Sequence, residues 1–148
     1  MKKWLVVLAA VAMSAGAFAS EGWETDFDKA AAKAKAEGKY MLVDFSGSDW
    51  CRWCVKLDNE VFSKKAFEEY AKGNLVLVLV DFPRNKSNQS AAIQKQNNVL
   101  AQKFGVRGFP TVFILDPNGK PIDKTGYQDG GPEAYVSYIK KAIEASKK

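Results

Sequence analysis

One aliphatic segment, residues 75–82, constrains the fold of this chain more than any other feature. It consists of Leu-Val-Leu-Val-Leu-Val-Asp-Phe and lies between Asn74 and Pro83. Six consecutive aliphatic residues offer no polar face, so a strand built from them must be covered on both sides. The segment therefore predicts a central, parallel strand in a sheet that carries helices on both faces.

The flanking sequence supplies elements in an order that suits such a sheet. Residues 40–45 form a second apolar run, in which Asp44 is the one charged residue. Residues 111–115 and 122–127 flank the turn sequence Asp116-Pro117-Asn118-Gly119 and predict an antiparallel pair of strands. Apolar spacing and end signals predict helices that begin at a Thr25 cap, near the cysteines, at Ser63, at about Ala91 and at Gly130-Gly131-Pro132-Glu133. The elements predict an α/β fold in one domain, without internal repeats.

The only two cysteines, Cys51 and Cys54, stand three positions apart after the turn residues Ser46-Gly47-Ser48-Asp49. If Ser48 or Asp49 caps a helix there, both thiols lie in its first turn, where free amides and the helix dipole lower a thiol pKa. A disulfide that closes so short a loop stabilises a fold by only about 2 kcal/mol. The pair is therefore more typical of a redox centre than of a purely structural crosslink.

The composition also bears on metal and haem sites. The chain has two cysteines and no histidine, so a monomer cannot complete the four Cys or His ligands of a structural zinc site. A covalently attached c-type haem requires histidine directly after Cys54, where Val55 stands. A cluster shared between two subunits stays formally open, but we expect no metal and no organic cofactor.

The first nineteen residues have the pattern of a secretory signal peptide. Lys2 and Lys3 precede an apolar run at residues 4–12, and Ala17-Phe18-Ala19 has small residues where signal peptidase requires them. The run is shorter than the ~20 residues of a membrane-spanning helix, so we expect cleavage after Ala19 and no stable membrane anchor. A single domain, residues 20–148, then lies in the periplasm or outside the cell, where disulfides persist.

The charge pattern argues against a nucleic-acid partner. The formal net charge is +5, of which Lys2 and Lys3 contribute two, and the other lysines are scattered. Nucleic-acid binding requires a basic stripe or patch on one face of the domain. We therefore expect a solvated surface rather than a nucleic-acid interface.

Two separated motifs together resemble the thioredoxin-like superfamily. They are Trp50-Cys51-Arg52-Trp53-Cys54 and Gly108-Phe109-Pro110-Thr111, with Leu42-Val43-Asp44-Phe45 ahead of the first. Within the superfamily, the chain looks like exported bacterial thioredoxin-fold proteins related to the thiol:disulfide interchange group. The resemblance runs from about Trp23 to the C-terminus. It implies a three-layer thioredoxin fold with a central mixed β-sheet flanked by helices.

The resemblance also implies roles for residues near the cysteines. Cys51 would be the exposed nucleophile and Cys54 would resolve the mixed disulfide, in agreement with the position of Cys51 nearest the helix N-terminus and beside Arg52. Pro110 would be a cis proline that faces the cysteines and leaves the Phe109 backbone open to an extended substrate. From the residues alone, an ordinary trans proline at a strand start is an equal alternative.

Asp44 resembles the buried acid of thioredoxins, which assists proton transfer at the second cysteine. A carboxyl in an apolar strand would have a raised pKa and serve as a proton acceptor near neutrality. The segment from residue 46 to residue 50 is one residue longer than the usual spacing between that acid and the first cysteine. A structural role for Asp44, turned away from the cysteines, therefore stays open.

The candidate substrate-binding residues are Trp50, Arg52, Trp53, Phe109 and Pro110. Arg52-Trp53 replaces the Gly-Pro of cytosolic thioredoxins, and Phe109 stands where a smaller aliphatic residue is commoner. For Trp50 and Trp53, a docking surface beside the thiols and buried packing are equal interpretations. The segment Asp81-Phe82-Pro83-Arg84 is either a partner-facing loop or plain surface.

These features predict an extracytoplasmic thiol-disulfide oxidoreductase of the protein-disulfide reductase or isomerase type. It would exchange disulfides with client proteins through Cys51 and Cys54, and a redox partner protein would regenerate the pair. The alternative is a non-catalytic, peptide-binding or chaperone-like module with a static local disulfide. The direction of the redox reaction does not follow from the sequence, since related pairs span roughly −270 to −120 mV.

Overall fold

The aliphatic segment forms strand β3 (Leu75–Asp81) inside a five-stranded sheet. The computed structural model describes residues 22–148, so the predicted signal peptide, residues 1–19, lies outside the described residues. The elements before β3 are β1 (Trp23–Glu24), α1 (Phe27–Glu37), β2 (Tyr40–Ser46), α2 (Arg52–Leu57) and α3 (Lys65–Asn74). Those after it are α4 (Ala91–Lys103), β4 (Thr111–Leu115), β5 (Pro121–Thr125) and α5 (Gly131–Ser146). A π-helical turn, Asp58–Phe62, continues α2.

The sheet is mixed, with the strand order β1-β3-β2-β4-β5. Strand β3 pairs in parallel with both of its neighbours, β1 and β2. Strand β4 pairs antiparallel with β2 and with β5. The predicted α/β fold with a central mixed sheet and a parallel aliphatic strand is therefore confirmed.

Each face of the sheet packs against its own helices, and strand alternation decides which residue faces which layer. Leu42 belongs to the core formed with α2, α3 and α5, whose buried members include Leu57, Phe67 and Tyr135. Val43 and Phe45 belong to the core on the opposite face, with α1 and α4. Asp44 follows Leu42 by two positions and therefore faces the layer that contains α2. No helix among residues 22–148 has the length and hydropathy of a membrane span.

Two local details differ from the sequence expectations. Asp26 caps α1, because its Oδ1 accepts the backbone N–H of Lys29 at 3.1 Å. Thr25, the predicted cap, instead has its carbonyl bound by the side chain of Gln96 at 3.0 Å. Strand β1 was not predicted, since its two residues are too short to display an alternating pattern.

Candidate redox site

Cys51 and Cys54 form a disulfide at the N-terminus of α2, with their Cα atoms 5.2 Å apart. Cys51 is itself the N-cap residue, because its Sγ accepts the backbone N–H of Cys54 at 3.2 Å. The Sγ of Cys54 accepts the N–H of Gly47 at 3.5 Å. The expectation that Ser48 or Asp49 caps this helix is therefore wrong. The pair occupies the first turn, where the helix dipole favours a thiolate.

Both cysteines are buried in this oxidised form, with exposed fractions of 6% for Cys51 and 5% for Cys54. The resemblance implied an exposed Cys51, and the structure differs because the disulfide holds its Sγ over the helix end. Exposure thus does not distinguish the two sulfur atoms. What distinguishes them is position, since Cys51 lies at the helix end beside the exposed side chain of Arg52.

The Phe109–Pro110 peptide bond is cis. The Oγ1 of Thr111 donates to the carbonyl of Gly108 at 2.6 Å and closes the loop around the proline. The backbone N–H and C=O of Phe109 have no hydrogen-bond partner within residues 22–148. An added Cβ on Gly126 would lie 3.0 Å from the Pro110 carbonyl oxygen, so any larger residue would require the proline loop to shift slightly. The loop thus presents an unpaired backbone segment.

An aromatic contact joins the proline loop to the cysteine segment. The ring of Phe109 meets Trp50 edge-on, with centroids 5.7 Å apart, and lies 5.3 Å from the ring of Phe82. Because Trp50 directly precedes Cys51, the structure brings together the two motifs that lie more than fifty residues apart in the chain.

Trp50 and Trp53 are exposed, by 40% and 52%, and so are not buried packing residues. The ring of Trp53 lies 5.1 Å from that of Tyr127, and the Nζ of Lys56 lies 5.0 and 4.9 Å from their centroids. The Tyr127 hydroxyl donates to Glu60 at 2.5 Å, and this hydrogen bond raises the pKa of Tyr127. Tyr127 carries no motif, so sequence reasoning missed it as the support of Trp53.

Asp44 is 6% exposed, and its Oδ1 has no hydrogen-bond partner among residues 22–148. Burial, followed by the negative charges of Asp58 and Asp81, raises the pKa of Asp44 from 3.8 to about 8. Asp58 lies in the turn that continues α2, and burial raises its pKa as well. Asp44 faces this layer because it alternates with Val43 and Phe45 in β2. The longer segment before Cys51 forms a turn, in which the N–H groups of Trp50 and Cys51 both donate to the Gly47 carbonyl at 3.2 and 2.8 Å.

Polar side chains bind the segment before Cys51 to the segment after β3. Ser48 donates its backbone N–H and its Oγ to the Asp81 carboxylate at 2.9 and 2.5 Å. The Asp49 carboxylate accepts the backbone N–H groups of Arg84 and Asn85, both at 2.9 Å. Hydrogen bonds from Asn85 and then from Arg84 lower the pKa of Asp49. Ser48 and Asp49 thus position this loop rather than the helix.

The Trp50 indole is fixed between this loop and its own turn. Its Nε1 donates to the carbonyl of Phe82 at 2.7 Å. An added Cβ on Gly47 would lie 2.6 Å from Cζ2 and 2.7 Å from Nε1 of Trp50. The indole therefore occupies space that only a glycine leaves free.

We expect Gly47→Ala to destabilise the oxidised protein by about 1 to 3 kcal/mol, because the methyl group displaces the Trp50 indole. Gly73→Ala is the matched control, since Gly73 lies in α3 and an added Cβ meets nothing within 4 Å. Alanine should stabilise that helical position by roughly 0.5 to 1 kcal/mol. Urea denaturation measures both, and a Gly47→Ala variant as stable as the wild type would contradict the packing described here.

The chain is similar to known proteins both in sequence and in fold. The model of a family described as thioredoxin-like domain matches residues 27–143. The chain is 34% identical over 122 residues to the disulfide bond reductase DsbH of Chlamydia pneumoniae, covering 82% of this chain and 72% of that protein. It is 32% identical over 104 residues to the thioredoxin-related protein DsbJ of the same species, covering 70% of this chain and 30% of DsbJ. A solved structure of DsbH oxidoreductase superposes with a TM-score of 0.78 at 30% identity, over 97% of this chain and 95% of the other.

Proposed function

This chain belongs to the thioredoxin-like domain family, and on that premise we propose that it is an extracytoplasmic thiol-disulfide oxidoreductase that reduces disulfides in client proteins. The observation that carries the proposal is the Cys51–Cys54 disulfide at the N-terminus of α2, beside a proline loop with an unpaired backbone. The similarity to a protein named disulfide bond reductase supports the reducing direction.

The reaction begins from the reduced pair. The Cys51 thiolate, stabilised by the helix end and by Arg52, attacks one sulfur of a client disulfide. The client S–S bond breaks, one client sulfur leaves as a thiolate, and the other is joined to Cys51 in a mixed disulfide. The leaving thiolate takes a proton from water.

Cys54 completes the transfer. Its thiol gives its proton to the Asp44 carboxylate, and the resulting thiolate attacks the Cys51 sulfur. The mixed disulfide breaks, the second client thiolate leaves and is protonated, and the Cys51–Cys54 disulfide forms. Two electrons have then passed to the client. A partner protein with a dithiol reduces the pair again, and no metal or organic cofactor takes part.

The assignment of Asp44 as proton acceptor is supported by its position and its chemistry. It faces the layer that contains α2, and its pKa is raised to about 8. A carboxyl with this pKa can both accept and release a proton near neutral pH. A general base works best under this condition.

Client binding is assigned to the surface around the pair. An extended client chain pairs with the free N–H and C=O of Phe109 beside Pro110, as a strand adds to a sheet edge. The exposed rings of Trp50 and Trp53 flank the cysteines and contact the client, together with Arg52. The predicted signal peptide, residues 1–19, supports action outside the cytoplasm.

The test uses the full chain expressed in a bacterial host. We expect the protein in the periplasmic fraction, with a mass that lacks residues 1–19. With dithiothreitol as the electron donor, it should accelerate insulin reduction, and a variant with both cysteines replaced by serine should not. A purified wild-type protein that leaves insulin reduction at the uncatalysed rate would instead favour the peptide-binding module with a static disulfide.

A further inference from the structure

Arg84 lies against the aromatic ring that precedes the redox pair. Its guanidinium carbon is 5.7 Å from the ring centroid of Trp50. Because Trp50 is bonded to Cys51, this stacked pair neighbours the residue that reacts with the client sulfur. Arg84 comes from a different part of the chain, the segment after β3, and belongs neither to the cysteine motif nor to the proline motif.

The protein fixes both members of the stack before a client arrives. The backbone N–H of Arg84 is bound by Asp49, so the base of the side chain is anchored. The Trp50 ring is held by the Phe82 carbonyl and by edge-on contact with Phe109. A guanidinium that rests on a fixed ring loses less side-chain entropy when it binds a ligand.

The donor groups of the Arg84 guanidinium remain available. Arg84 is exposed, and within residues 22–148 its side chain forms neither an ion pair nor a hydrogen bond. The carboxylate of Asp49 directs one oxygen to the backbone N–H of Arg84 and the other to the backbone N–H of Asn85. A free guanidinium fork matches the two oxygens of a carboxylate.

We propose that Arg84 is a specificity-determining residue that binds a carboxylate carried by the disulfide substrate, namely an Asp or Glu side chain close to the client cysteine. Clients with an acidic residue beside the reacting sulfur are therefore reduced faster than neutral ones. This inference rests on the proposed function, because it concerns the substrates of the same cysteine pair.

Neighbouring charges set the size of the preference. The negative charge of Asp49 opposes an incoming carboxylate, whereas the exposed Arg52 attracts it without an aromatic support. An exposed charge pair has a modest effect in water. We expect a preference of about three- to fivefold at low salt that is largely lost at 0.5 M salt, since screening weakens exposed ion pairs.

The experiment uses two disulfide-linked peptides that differ only by Glu or Gln beside each cysteine. The fully reduced protein is the electron donor, and single-turnover rate constants are measured at low and at high salt. The wild type should prefer the Glu peptide, and Arg84→Gln should remove the preference while reducing the Gln peptide at the wild-type rate. Lys86→Gln changes the same charge at an exposed position in the same loop and should keep the preference.

The outcomes separate the two proposals. Equal wild-type rates for both peptides, or an Arg84→Gln variant that slows both peptides alike, overturn the role of Arg84 and leave the oxidoreductase intact. Failure to reduce either peptide overturns the proposed function and this inference with it. A further measurement uses glutathione disulfide as a small substrate that carries carboxylates. If Arg84→Gln slows the reduction of glutathione disulfide but of neither peptide, the assignment to protein clients is overturned.

Discussion

Replacing Cys51 with serine is expected to lower the rate of disulfide reduction by at least about a thousandfold, which corresponds to ~4 kcal/mol in the activation barrier. A serine hydroxyl does not ionise near neutrality and cannot take the place of sulfur in a mixed disulfide. The measurement is insulin reduction by the Cys51→Ser variant, with folding checked by circular dichroism. The disulfide closes a loop of only three positions, so its loss should cost the fold no more than about 2 kcal/mol.

Cys54→Ser is the matched control for the two cysteine roles. This variant keeps the attacking thiol but lacks the resolving one, so it should accumulate a covalent complex with a disulfide client. The complex appears as an added mass on a non-reducing gel and disappears with dithiothreitol. If Cys51→Ser trapped the client and Cys54→Ser did not, the assigned roles would have to be exchanged.

Asp44→Asn is expected to change how the stability of the oxidised protein depends on pH. Burial raises the pKa of Asp44 from its ordinary value of 3.8 to about 8 in the fold. Between these values the folded state holds a proton that the unfolded state has lost, so stability falls as pH rises and the loss is complete above pH 8. From pH 4 to pH 8, the wild type should lose about 5 kcal/mol more than the variant.

Comparison of two pH profiles isolates this effect from the other titrating groups. Asp58 and Asp81, whose charges act on Asp44, and Tyr135, on which Asp44 acts, are present in both proteins. Asp28→Asn, at an exposed position in the first turn of α1, is the matched control and should keep the large loss of stability that the wild type shows. Guanidinium denaturation from pH 4 to pH 9 provides the free energies. Parallel profiles for wild type and Asp44→Asn would mean that this carboxyl is not desolvated in the fold.

Local patterns in the sequence were sufficient to predict the central part of the fold. The continuous aliphatic segment of β3 predicted a strand that is covered on both faces. In the structure, β3 contributes residues to the core on each face of the sheet. Strand β1 could not be predicted from the sequence, because two residues are too few to show an alternating pattern. The N-cap of α1 is Asp26 rather than the predicted Thr25, because the Asp26 carboxylate accepts the backbone N–H of Lys29.

The candidate site was predictable where a motif encodes it and not where distant segments meet. Residue type and spacing were sufficient to single out the cysteine pair and Pro110 as site residues. The bonds from Ser48 to Asp81 and from Asp49 to Arg84 join residues 33 and 35 positions apart. The sequence predicted Ser48 or Asp49 as a helix cap, which was wrong because the pairing of β2 with β3 brings Asp81 and Arg84 to these side chains.

The site rests on the ends of three adjacent strands, β2, β3 and β4, which occupy the middle of the sheet. The outer strands, β1 and β5, contribute neither cysteine nor the proline loop. Fraying starts at sheet edges, where few buried contacts resist it, and the centre opens only with the whole domain. Amide hydrogen exchange should therefore be slowest directly beneath the cysteines, and the outer strands can exchange their hydrogens without loosening the geometry of the disulfide.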